Sequence, residues 1–354
     1  MGLNLRYSFN YEIINFLNLL TEDPFYISKG RHKDALNIYL NQYYKGDSKE
    51  LLDIVKEIVE IIGSVHINTT LNSTLSLLPE FQYGDLLNLI KDPCYIKSVI
   101  EPLVIEAGMV NKQQFNDIWE VSWVKLLKKV EIILELLLSN GFKEYWEKVE
   151  RPKLDEFILR NKDFYNSIDV TTEINQILGI KKYTEINAII STFVYPRGYK
   201  LYDNTFLTDY RLNTYDFILV TIHEMFHPPY IIKNVKESIK KLSQDEYLIE
   251  SYNSQHEIIA YQPFESYIEE NIVDTLGLYV AKKIGLPIDP INYLKTHDLD
   301  KHGNPQCLSI IFYEYLINNE KKSNELFDDY FNQMVNTLPI GNLHNMYKEI
   351  MAKY

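Results

Sequence analysis

Apolar residues recur at three- and four-residue intervals over most of this chain, the spacing of helices that bury one face. Asp47, Ser48, Lys49 and Glu50 read as a capping-box start. Leu51, Leu52, Ile54, Val55, Ile58, Val59 and Ile62 follow, and Gly63 closes the segment. A second long stripe runs through residues 112–139, carried by Trp119, Trp123, Leu126, Leu127, Val130, Ile133 and Leu137. Such stripes belong to a core, so residues 1–165 read as a helical N-terminal domain.

The texture then changes. Residues 183–195 are rich in β-branched and aromatic side chains, Pro196, Arg197 and Gly198 punctuate them, and the pattern resumes at Tyr199. A small sheet is expected at about 183–203, as a hairpin or two neighbouring strands. Asn213, with Asp216 three residues on, marks a helix start, and the apolar run from Phe217 to Ile222 carries the helix to about 227. A strong helical pattern occupies about 264–284. Further helices are expected from Ile288 to Leu294, Cys307 to Asn318 and Glu325 to Leu338. The fold class is therefore mainly α (α+β), with residues 166–354 as a second domain.

The candidate chemistry sits at the end of the 214–227 helix, in the run His223, Glu224, Met225, Phe226, His227. Residues four apart on a helix share a face, so His223 and His227 can hold one metal ion, with Glu224 beside it as a general base. Pro228 and Pro229 follow at once. Proline disfavours helical geometry in the residue before it, so the helix should stop at or near His227. The third ligand is sought in the 264–284 helix, where Glu270, Asp274, Gly277 and Ala281 form one stripe. Two acids followed by two small residues fit a helix that binds metal through Glu270, orients a histidine through Asp274 and approaches another backbone closely. Glu269, Glu265 and Asp274 itself are the alternative ligands.

An HExxH motif followed by a helix carrying ExxxD resembles the gluzincin clan of zinc metallopeptidases, the thermolysin-like enzymes. The match covers roughly residues 214–284. The resemblance implies a zincin-like catalytic core and one Zn2+ per chain, held by His223, His227 and Glu270. It makes Glu224 the general base for a metal-activated water and Asp274 the partner of a ligating histidine. It also implies a small sheet before the active-site helix whose edge strand pairs with extended peptide. A Tyr or His beyond the third ligand that stabilises the oxyanion would be His302 or Tyr313. The continuing helix of the clan is absent here because of Pro228.

The remaining histidines, His32, His66, His256, His297, His302 and His344, change little. His256 and Glu257 begin a second H-E pair, but Ala260 stands where the second His would be. A di-iron bundle would need a second E-x-x-H, and no other histidine has Glu three residues earlier.

Composition narrows the partners. The 354 residues are 46% hydrophobic, enough for a large core, and the net charge of −13 argues against nucleic acid and anionic membranes. Two cysteines, Cys94 and Cys307, make no disulfide framework. The N-terminus lacks a signal-peptide apolar region, Arg6 breaks the myristoylation pattern, and no apolar run spans a bilayer, which points to the cytoplasm. The expected function is zinc-dependent hydrolysis of peptide bonds in a peptide or protein substrate. The rival readings are a catalytically inactive zincin-like binding protein and a helical interaction protein with an accidental HExxH.

Overall fold

The computed structural model describes residues 2–22, 33–63, 67–79, 81–106, 111–194, 198–254, 263–298 and 307–354. It is mainly helical, with one small sheet. Local signals act where the sequence puts them. The Asp47 side chain accepts the Lys49 N–H at 2.8 Å, the helix runs Ser48–Ile62, and Gly63 ends it at φ +69°. Asn111 and Gln114 form a reciprocal capping box. The 112–139 stripe is helical throughout, but Trp119–Trp123 is a π-helical turn. There the Trp119 and Trp123 rings stack with centroids 6.0 Å apart.

The sheet has four strands, β1 (Leu3–Arg6), β2 (Ile186–Ser191), β3 (Gly198–Lys200) and β4 (Thr205–Asp209), in the order β1-β2-β4-β3. β2 runs parallel to β4, Asn187 facing Thr205 and Ser191 facing Asp209. β3 runs antiparallel to β4, Gly198 facing Thr208. The expected pairing of neighbouring strands within 183–203 is thereby corrected: β4, not β3, lies beside β2. Burial explains the order. β2 is buried at all six positions and β4 at four of five, whereas β3 is half-exposed throughout and suits an edge.

The chain divides into two compact units. One comprises Leu5–Lys162 and Asn187–Arg211, so most of the sheet groups with the N-terminal helices and not with the C-terminal part where the sequence placed it. Its central helix, Phe9–Leu20, is buried from Asn10 to Leu20, so even its polar side chains need internal partners. Asn15 accepts from Asn72 at 2.8 Å and donates to Ser191 Oγ at 3.1 Å. The Glu12 carboxylate accepts the Thr192 N–H at 3.0 Å, the Thr192 hydroxyl at 2.6 Å and Trp146 Nε1–H at 3.2 Å. Burial pushes its pKa up to about 7, against the lowering effect of those hydroxyl and amide donors.

The other unit comprises Met1–Asn4, Asp163–Ile186 and Leu212–Tyr354. Two helices matter most in it: the motif helix, Thr214–Phe226, and the acidic helix, Phe264–Lys283. They pack on each other, and the acidic helix packs in turn on Cys307–Asn318. A buried polar latch fixes that second contact. Ser309 donates its N–H to Asn271 Oδ1 at 3.2 Å and its hydroxyl to the Asn271 carbonyl at 2.8 Å, while Thr275 donates to the Ser309 carbonyl at 2.9 Å. Helices Pro290–Asp298 and Phe327–Thr337 occupy expected regions; Ile232–Leu242, Glu246–Asn253 and Leu343–Met351 are further helices. Among the described residues, no helix is long and apolar enough to cross a membrane.

Candidate metal centre

The motif helix begins where its sequence says. Asn213 Oδ1 accepts the N–H groups of Tyr215 and Asp216, both at 3.0 Å. The helix interior buries Phe217, Ile218, Thr221 and Ile222, and Tyr165 stacks on Phe217 at 4.5 Å. It ends at Phe226. His227 is the C-cap, with extended backbone (φ −74°, ψ 123°), as a residue preceding proline prefers. Tyr183 holds this end in place by donating to the Met225 carbonyl at 2.8 Å. His227 therefore reaches the site from just outside the helix, yet its Nε2 lies 3.0 Å from that of His223.

The acidic helix supplies what the two rings need. Asp274 accepts from His223 Nδ1 at 2.8 Å, and Glu269 accepts from His227 Nδ1 at 2.8 Å. A carboxylate accepts and does not donate, so each Nδ1 carries a hydrogen, and each Nε2 is the ring atom that a cation would meet in place of a proton. Glu270 completes the set, 3.4 Å from His223 Nε2 and 3.7 Å from His227 Nε2. The two Glu270 distances go to different carboxylate oxygens, Oε2 for His223 and Oε1 for His227. One donor atom each from His223, His227 and Glu270 fall within 4.8 Å of one another, a group that could hold a metal ion.

Electrostatics point the same way. Desolvation works against a charged His223 ring, but hydrogen bonds and charges from Asp274 and Glu270 outweigh it and hold its pKa well above the ordinary histidine value. The site favours a positive charge at this place, which a metal can supply instead of a proton. The five side chains are between 16% and 28% exposed, so the centre is reachable from solvent. Glu224, in the same turn as His223, is buried at 7% exposure.

The structure thus brings together His223, His227 and Glu270, and sets Asp274 behind His223. Glu269 had been weighed only as a substitute ligand; here its carboxylate is the acceptor for His227. Glu265 is exposed one turn earlier. His302, proposed for the oxyanion, lies outside the described residues. Tyr313 is buried, with its pKa pushed up to about 12 by burial and by the charges of Tyr354, Asp289 and Tyr279, none of which belongs to the centre. Comparison of the chain with protein-family models, with curated proteins and with solved structures finds no match.

Proposed function

We propose that this protein is a zinc-dependent metallopeptidase with a zincin-like core, acting on a peptide or protein substrate. One observation supports the reading above others. Two imidazoles, each fixed at Nδ1 by a carboxylate, turn their Nε2 atoms toward each other and toward Glu270, and the buried Glu224 follows His223 in the chain. Nitrogen and carboxylate donors in this number suit zinc better than calcium or magnesium, which prefer all-oxygen shells. One Zn2+ held there would supply Lewis acidity, polarising water and the scissile carbonyl.

The chain's own groups do the rest. His223, His227 and Glu270 hold the ion. Asp274 and Glu269 keep the rings from rotating and leave each Nε2 as the atom facing the ion's place. Glu224 takes a proton from the attacking water and returns it to the leaving amine. The test is a peptide-library digest by the wild type and by Glu224→Gln, with zinc content measured for both. The reading expects equal zinc and a loss of about 10²–10⁴-fold in hydrolysis. Full activity in Glu224→Gln overturns it.

A further inference from the structure

Three residues beyond His227 the chain buries a hydroxyl that bonds to no described residue. Tyr230 is 4% exposed, and its phenolic oxygen has no hydrogen-bond partner among the described residues. The ring is wedged against Phe331 and Phe327, centroids 5.1 and 6.5 Å away. The backbone on its far side is pinned as well. Asp328 accepts the Ile231 N–H at 3.2 Å and Asn234 Nδ2–H at 2.6 Å. So the Tyr230 ring is packed on one side and its backbone neighbours are tied to Asp328.

Leaving a buried donor unpaired is costly, and phenylalanine would fill the same space without that cost. A tyrosine here makes physical sense when its hydrogen bond forms in another state of the protein. The acceptor this points to is Glu269, whose carboxylate already holds the ring of His227, three residues before Tyr230. Burial does most to raise the Tyr230 pKa, and the nearby charges of Glu269 and then Glu265 raise it further. Glu269 meets His227 through Oε1, which leaves Oε2 to take a second donor. The two Nε2 atoms are 3.0 Å apart; a tetrahedral zinc held between them would set them about 3.3 Å apart, a change the His227 ring and the carboxylate behind it would share.

We propose that Tyr230 is a positioning residue for the metal centre: in the metal-loaded protein its hydroxyl donates to Glu269, completing a chain from Tyr230 through Glu269 to His227. The inference rests on the reading of His223, His227 and Glu270 as a metal site. The added donor fixes the second carboxylate oxygen, and with it the angle at which His227 meets the ion. Glu265 is exposed and remains in water.

The test uses Tyr230→Phe in the full chain, with zinc alone as the probe. Two quantities are read: zinc affinity, by competition with a chromophoric chelator, and melting temperature with and without zinc. The metal-free variant should melt at or above the wild-type temperature, because an unpaired hydroxyl has been removed. Its zinc affinity should fall about 10-fold or more, the range of lost ligand-orienting contacts. In a Glu269→Gln background the same substitution should add little further loss. Unchanged zinc affinity in Tyr230→Phe overturns the inference, as does equal destabilisation of the metal-free and zinc-loaded forms, or a fully additive double variant. A wild type that binds no zinc removes the metal site itself, and that result is read before any variant is made.

Discussion

Gly277 lies against His223: a Cβ placed on it would sit 3.9 Å from the His223 nitrogen and 4.0 Å from its Cα and Cβ. The acidic helix thus passes close to the motif helix at a small residue two turns beyond Glu270, and the contact leaves room for a methyl group. Gly277→Ala is expected to keep the centre and to gain up to about 1 kcal/mol from helix propensity. Gly277→Leu should force the helices apart, lose about 1–3 kcal/mol and lose zinc binding. Thermal unfolding and zinc titration of the two variants check this, and a leucine variant with wild-type zinc affinity would show that the close approach does not matter.

The paired carboxylates make a second prediction. Asp274→Asn and Glu269→Gln keep shape but weaken the hold on each Nδ1, and each should cost roughly 10–100-fold in metal affinity. Glu270→Ala should cost more, since it removes a ligand. Glu269→Ala should lower zinc affinity as well, because its carboxylate holds the His227 ring. Chelator competition on the three variants separates ligand from orienting partner.

Glu12 predicts a pH dependence away from the metal centre. Its folded pKa, about 7, is raised above that of an unfolded glutamate. Between the two values the folded chain holds the proton more firmly, so stability falls as pH rises, and the loss is complete above the folded pKa. The span corresponds to roughly 3 kcal/mol at most. Glu12→Gln cannot ionise and should flatten the decline between about pH 5 and pH 8. Chemical denaturation across that range measures it; an identical slope in the variant would assign the pH dependence elsewhere.

What the sequence made legible was local. Asn213 as N-cap, the stop before Pro228 and the Glu270–Asp274 stripe depend on residues within a turn or two of one another. The partner of His227 was not legible, because the ring leaves the helix at its C-cap and its orientation depends on which residue of a distant helix comes to face it. The strand order was equally non-local: β4 displaces β3 from the side of β2 through long-range burial. The helix Ile232–Leu242 carries a readable signal, Val235, Ile239 and Leu242 on one buried face. Tyr230 carried no signal at all, since a buried unpaired hydroxyl exists only once the chain is folded.

The central claim is that His223, His227 and Glu270 hold one zinc ion. The most direct test is the metal content of untagged protein, by elemental analysis, before and after incubation with excess zinc and extensive dialysis. The account predicts about one zinc per chain, lost in His223→Ala. No retained zinc, or the same zinc content in His223→Ala, would contradict it.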